Sequence, residues 1–268
     1  MPNLSKLEKS WKTLRQEGFI EVARKFFRYI KKIRYDSKKI KLDDKLSIKN
    51  YYENHRRFNT VARPHKIIWV RPEDIQLYLK DDRFKRKRHV AGKILDGNWD
   101  LNINTIEHQR EKLGKWLTAH FKDGVPWEDT GLFQNNYARK FEGGDWVYND
   151  CRSLQELVNY YNDKIDGLYY SLKENGFLLP SKDRPEIDFV YVHIGRGGEL
   201  IGTQGGRHRL FIAMDLNIKS IPVRVWLRHK NWQEIREKLS ADRGQWGENW
   251  VKPYLNHPDL EDIFAAKN

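Results

Sequence analysis

Apolar side chains recur at steps of three and four through the first segment: Leu4, Leu7, Trp11, Leu14, Phe19, Val22, Phe26, Ile30 and Ile33. That spacing is one face of a helix, with Gly18 as a break or kink. Residues 42–65 lose the period and read as linker and irregular structure. Ile67 to Val70 is a short apolar run that predicts a strand, and Pro72-Glu73-Asp74 can open a helix through Leu79. Ile106, Leu113, Trp116, Leu117 and Phe121 predict a helix from about Thr105, and a second spans Leu132 to Phe141 before Gly143-Gly144. Ser153-Leu154-Gln155-Glu156 has the form of a capping box. It opens a helix with Leu154, Leu157, Val158, Tyr161, Ile165, Leu168 and Leu172 on one face, ended by Gly176.

The period then shortens. Ile187 to Ile194 predicts a strand, Arg196-Gly197-Gly198 a turn, and Glu199 to Thr203 a second strand of the same hairpin. After Gly205-Gly206, apolar residues at Leu210, Ala213, Met214 and Leu216 predict a short helix with Asn217 as a left-handed cap. Ser220 to Leu227 reads as a strand with Pro222 at its first position. Asn231-Trp232-Gln233-Glu234 looks like a second N-cap with an acid at its third position, for a helix to about Leu239. Trp246, Trp250 and Tyr254 surround Pro253, and a short acidic helix lies near Leu260 to Ala265. The pattern is α+β: a small mixed sheet with surrounding helices. Residues 1–41 form an amphipathic helical extension, and 42–268 a domain with a helical insertion at about 101–180 and a Trp-rich tail.

The 268 residues suffice for a sizeable core. With 39% hydrophobic and 32% charged residues the composition is that of a globular protein. The net charge of +13 favours anionic partners. Residues 1–41 carry thirteen Lys/Arg against four acids, so most of the excess sits on the amphipathic segment. A basic helix with Trp and Phe on its apolar face reads as an anchor at an anionic membrane surface through residues 1–35, as a helix docked on the domain, or as a nucleic-acid contact. The single Cys151 excludes an internal disulfide. The absence of a bilayer-length apolar run or signal-peptide core makes a cytoplasmic location, with peripheral membrane contact, the expectation. The ten Trp read as core and packing residues, or in part as sugar-stacking platforms.

The chemistry concentrates at Gly205-Gly206-Arg207-His208-Arg209. Paired glycines let a backbone approach an anion closely. The helix start aims N–H groups and a partial positive charge at the same place. Arg207 and Arg209 add charged forks, and His208 a titratable donor. The combination suits phosphate.

Gly206-Arg207-His208-Arg209, the small-residue helix and the Ile-Pro-Val strand that follow resemble the signature of the ParB/sulfiredoxin-like superfamily. The frame Gly-x-His-Arg, at Gly206, His208 and Arg209, is similar to that of its sulfiredoxin and free serine kinase branches. The resemblance covers roughly Asp188 to Leu239, with a weaker echo at Ile67 to Ile75. It implies a nucleotide such as ATP at the turn, with Mg²⁺, and a phosphotransferase acting on a hydroxyl of a small molecule or glycan. It also admits a ParB-like nucleoside-triphosphate-binding, DNA-associated protein or nuclease, although no helix-turn-helix follows the signature. A third reading is a non-enzymatic nucleotide- or glycan-binding protein at a membrane surface. Sulfiredoxin chemistry is excluded, because Arg207 stands where its nucleophilic cysteine would be.

Other residues join the candidate site on weaker patterns. Asp96 and Asp100 flank Gly97-Asn98-Trp99 in a turn. They are either turn residues or a carboxylate pair for Mg²⁺ or for a hydroxyl proton, which would make them catalytic partners of His208. His193 and Arg196 lie on the hairpin leading into the glycine turn. The run Arg83-Phe84-Lys85-Arg86-Lys87-Arg88 is a solvated loop or a phosphate contact.

Overall fold

The computed structural model describes residues 45–63, 66–80, 84, 90–142, 147–179, 189–242 and 249–265. The chain divides into two compact units, Met1–Lys45 and Leu46–Asn268, and the description concerns the second. The amphipathic segment 1–41, most of the basic run at 83–88, Gly143-Gly144, Ile187 and Trp246 lie outside the described residues.

Seven strands form one open, mixed sheet: β1 (Ile67–Val70), β2 (Leu77–Leu79), β3 (Ile94–Leu95), β4 (Ile103–Thr105), β5 (Val190–Ile194), β6 (Leu200–Gly202) and β7 (Ile221–His229). Their order is β1-β7-β5-β6-β2-β4, and β3 runs parallel to the far end of β7. β7 is antiparallel to β1 and parallel to β5; β5 and β6 form the expected antiparallel hairpin. Val192 lies opposite Val225 but His193 opposite Leu227, so Trp226 is an extra residue that bulges β7. Pro222, the second residue of β7, stands one residue before the first β5 pairing, at Val223.

Alternation along the strands defines two faces. Ile68, Val70, Val190, Val192, Ile194, Ile221, Val223 and Val225 join the main core. Leu79, Ile201 and Leu227 join a smaller cluster with Phe84, Val90 and Trp99 on the other side.

The helices are α1 (residues 45–55), α2 (Ile106–Gln109), α3 (Lys115–Phe121), α4 (Leu132–Asn136), α5 (Ala138–Phe141), α6 (Leu154–Tyr160), α7 (Asp166–Asn175), α8 (Arg207–Asp215), α9 (Lys230–Ala241) and α10 (Glu261–Ala265). A π-helical segment, Arg110–Gly114, joins α2 to α3, and another, Tyr161–Ile165, joins α6 to α7. Each pair is therefore one long helix with a widened turn. Ser153 caps α6, its Oγ accepting from the Glu156 N–H at 3.1 Å. Asn217, at φ +53°, closes α8 as expected. The α+β class with helices around a mixed sheet is the one the residue pattern predicts.

Three local expectations are corrected. Residues 45–55 are helical rather than irregular. Asn50 and Asn54 tie α1 down by donating to the carbonyls of Ala91 and Gly92, so its buried side is polar and leaves no apolar period. Pro72 opens a single 3₁₀ turn that ends at Asp74, and Leu77–Leu79 is a strand. Pairing with β4 on one side and β6 on the other overrides the helical start signal. Finally, α9 begins at Lys230 directly out of β7. His229 is its cap, with Nδ1 accepting from the Asn231 N–H at 3.1 Å. Histidine is not among the residues that usually signal a cap.

Behind β7 lies a buried ionic cluster. Asp259 accepts from Nε and Nη2 of Arg228, from the Trp232 indole N–H at 2.9 Å and from Arg236. All four residues are buried. The two guanidinium groups hold the Asp259 carboxyl well below the usual carboxylate range against the opposing effect of burial. No helix among the described residues is long and apolar enough to cross a membrane.

Candidate functional site

The glycine turn is set by the strand beneath it. Gly206 has φ +77°, and a methyl there would collide with the carbonyl of Phe189 and the Cα of Val190. A methyl on Gly205 would stand 2.8 Å from the Tyr191 ring. The Thr203 hydroxyl accepts from the Gly205 N–H at 3.0 Å, and the Gly206 carbonyl accepts the first helical bond, from Leu210, at 3.0 Å. Both glycines therefore let the turn lie on β5, which fixes where α8 begins. The cap position, Gly206, has no side chain to offer, and no side-chain bond caps the helix. The first-turn N–H groups of a nine-residue helix are left without that partner.

The three basic residues of the first turn differ in their surroundings. Arg207 donates from Nη1 to Oε1 of Gln109 at 2.9 Å. It stands close enough to Tyr78 and Tyr137 for its charge to oppose the rise that burial imposes on both phenols. Among the described residues no carboxylate pairs with Arg207. His208 Nε2 shares a hydrogen bond of 3.2 Å with the Tyr161 hydroxyl, ring edge to ring face. Burial, then the charges of Arg207 and Arg209, push the imidazole down to about 3. Arg209 is half-buried and engaged with its neighbours.

Tyr161 begins the π-helical segment of its helix, and Gln109 immediately precedes the other. Burial raises the Tyr161 phenol well above its ordinary range. Tyr161 is hydrogen-bonded to Tyr137, and Tyr137 to Tyr148. A row of polar groups, Tyr148, Tyr137, Tyr161 and His208, thus runs to the head of α8 beside a guanidinium that no described carboxylate pairs with. Neutral hydroxyls and a neutral imidazole can donate to an anion without adding charge of their own, and the guanidinium supplies the charge.

The other candidates are placed elsewhere. Asp100 is buried, with both oxygens on Arg196: Oδ2 accepts from the Arg196 backbone N–H and Nε at 2.9 Å, and Oδ1 from Nη2 at 2.8 Å. His229 lies 3.8 Å from the same carboxylate. Asp96 is exposed; it accepts from the Gly97 N–H at 2.8 Å and pairs with Lys230 at 3.1 Å. Hydrogen bonds from Gly97 and Lys230 hold its carboxyl low. Arg196 stands six residues beyond Val190, so the Asp100 clamp and the glycine turn lie at opposite ends of β5, about 20 Å apart. Neither carboxylate as it stands fits a Mg²⁺ shared with the turn. Among the described residues no group of three or more His, Cys, Asp or Glu side chains could hold a metal ion. His193 is buried between the rings of Phe84 and Trp99, at 5.9 and 5.8 Å, on the sheet face away from α8.

Gln109, Tyr78, Tyr137, Tyr148 and Tyr161 belong to the site but carry no signal of it in the sequence. Tyr161 falls on the apolar face of its helix, and periodicity does not show where its hydroxyl ends. Gln109 is buried and polar, and its partner Arg207 lies 98 residues further along the chain, so no local pattern marks it.

Over 140 residues the chain is 21% identical to a myrosinase of Brassica napus, a match covering 47% of this chain and 25% of that protein. The chain thus spans about a quarter of that relative's length, a likeness too slight and partial to place it in a family. No family model matches the chain, and no solved structure matches it.

Proposed function

We propose that this chain is a nucleotide-dependent phosphotransferase of the kind its Gly-x-His-Arg frame resembles, with the nucleotide phosphates at the head of α8. The observation that carries the reading is Arg207. It is a cation with a neutral amide and neutral phenols around it, at an uncapped helix start, with no described carboxylate to neutralise it. An anion completes such a site. Arg207 and the first-turn N–H groups would take phosphate oxygens. His208, partly buried, and Tyr161, buried, are both neutral and would donate or accept at the same anion without competing for its charge. Phosphoryl transfer asks mainly for positioning and charge stabilisation, which this set offers without a carboxylate base. Mg²⁺ belongs to this reading as the companion of the nucleotide phosphates, and the acceptor as a hydroxyl compound.

The test is calorimetric titration of ATP with Mg²⁺ into the purified chain and into Arg207→Gln, followed by assay of ADP release with a panel of hydroxyl acceptors. The reading expects binding by the wild type, loss of affinity of tenfold or more in the variant, and acceptor-dependent release of ADP that His208→Ala abolishes. Unchanged ATP affinity in Arg207→Gln overturns the site.

A further inference from the structure

The side of the glycine turn away from Arg207 carries side chains that a phosphate site leaves unused. Alternation puts Tyr191 of β5 and Arg224 and Trp226 of β7 on the sheet face opposite the main core. Tyr191 and Arg224 are register partners on neighbouring strands. The rings of Tyr191 and Trp226 meet edge to face with centroids 5.5 Å apart. Phe189 stands edge-on to Tyr191 at 6.5 Å, and the Arg224 guanidinium lies over the Phe189 ring at 5.4 Å. The turn touches this wall directly. Gly205 rests against the Tyr191 ring, and Gly206 against the backbone of Phe189. Tyr191, Arg224 and Trp226 are each partly exposed. Nε of Arg224 is buried without a hydrogen-bond partner, and no described carboxylate pairs with its guanidinium.

Aromatic rings beside a planar cation with unused donors hold a flat heteroaromatic group well. The rings stack on its face, and the guanidinium donates to its edge. Such a group, one residue from a phosphate site, has the layout of a nucleotide. We infer that the Tyr191–Trp226–Arg224 wall receives the base of the nucleotide whose phosphates lie at the head of α8; this rests on the phosphate reading above. Stacking on aromatic side chains is tolerant of base identity, so the wall secures a base while Arg224 selects among them by hydrogen bonding.

The experiment titrates ATP and, separately, tripolyphosphate into the full chain and into Tyr191→Leu, Trp226→Leu and Tyr191→Phe. Both leucine variants should bind ATP about tenfold more weakly or worse and tripolyphosphate as the wild type does, while Tyr191→Phe keeps both affinities. Unchanged ATP affinity in the folded leucine variants overturns the base wall and leaves the phosphate site standing. Failure of the wild type to bind either ligand overturns both readings. A second measurement needs no variant: wild-type chain is photolabelled with ATP carrying an azide on the base, and the labelled peptide is mapped. Label on β5 or β7 supports the wall, and label confined to other peptides overturns it.

Discussion

Tyr161 Oη lies 3.2 Å from Nε2 of His208, and both groups are held neutral at physiological pH by burial. The pair joins two parts of the chain 47 residues apart. It anchors the first turn of α8 to a helix the sequence shows only as an apolar face.

The histidine makes stability depend on pH with a defined sign. The unfolded chain binds a proton at His208 near the ordinary imidazole value of 6.5, whereas the folded chain resists until about 3. The unfolded state therefore holds more protons between those values, and this contribution is lost as pH falls from about 6.5 towards about 3. Urea unfolding of wild type and His208→Gln at stepped pH should show the wild type losing stability more steeply across that window. Parallel curves would remove the assignment.

Two glycines with nearly the same backbone test what the turn requires. Gly206 and Gly124 have φ +77° and +73°, but a methyl at Gly124 meets nothing within 4 Å while one at Gly206 meets the backbone of β5. Gly124→Ala should cost about 1 kcal/mol for its left-handed backbone. Gly206→Ala should cost roughly 3 kcal/mol or more, because strand backbone cannot move aside as a side chain can. Chemical denaturation of the two variants side by side gives the comparison.

Asp259 and Asp96 contrast a buried with an exposed carboxylate. Asp259→Asn leaves Arg228 and Arg236 buried without their shared anion, with an expected loss of roughly 3–5 kcal/mol. Asp96→Asn breaks an exposed, solvent-screened pair with Lys230 and should leave the denaturant midpoint essentially unchanged. Denaturant midpoints measure both.

Gln109 positions Arg207 without reaching the proposed anion through a charge of its own. Gln109→Leu should weaken binding of tripolyphosphate by roughly threefold to tenfold, about the net worth of one ordinary hydrogen bond, because the effect reaches the anion through Arg207. Competition titration reads the change. Arg207→Gln should be the more severe variant, because it removes the cation itself.

The hairpin, the glycine turn, α8 and its left-handed cap at Asn217 are legible in the sequence because each rests on local chemistry: glycine pairs, an asparagine cap, apolar steps of two or of three and four. Residues 45–55 hide their helix because Asn50 and Asn54, rather than aliphatic side chains, hold it down. Leu77 to Leu79 hide their strand because their partners are not local: β4 lies beyond an intervening strand, and β6 more than a hundred residues further along. Of the site, Arg207 and His208 are visible in the motif. Their companions Gln109, Tyr137 and Tyr161 are not, since a hydroxyl or amide on a buried helix face looks like packing until the helix has been rotated into place.

Each widened turn holds one residue more than an ordinary turn does. The widening itself takes up that residue, so Leu157 before it and Leu172 after it face the same core. Deleting a single residue between 161 and 165 would let the helix close to regular pitch with those two faces still aligned, and the loss would fall on the contact that Tyr161 makes with His208. A missing codon in that stretch would act on this protein at its candidate site and spare its core.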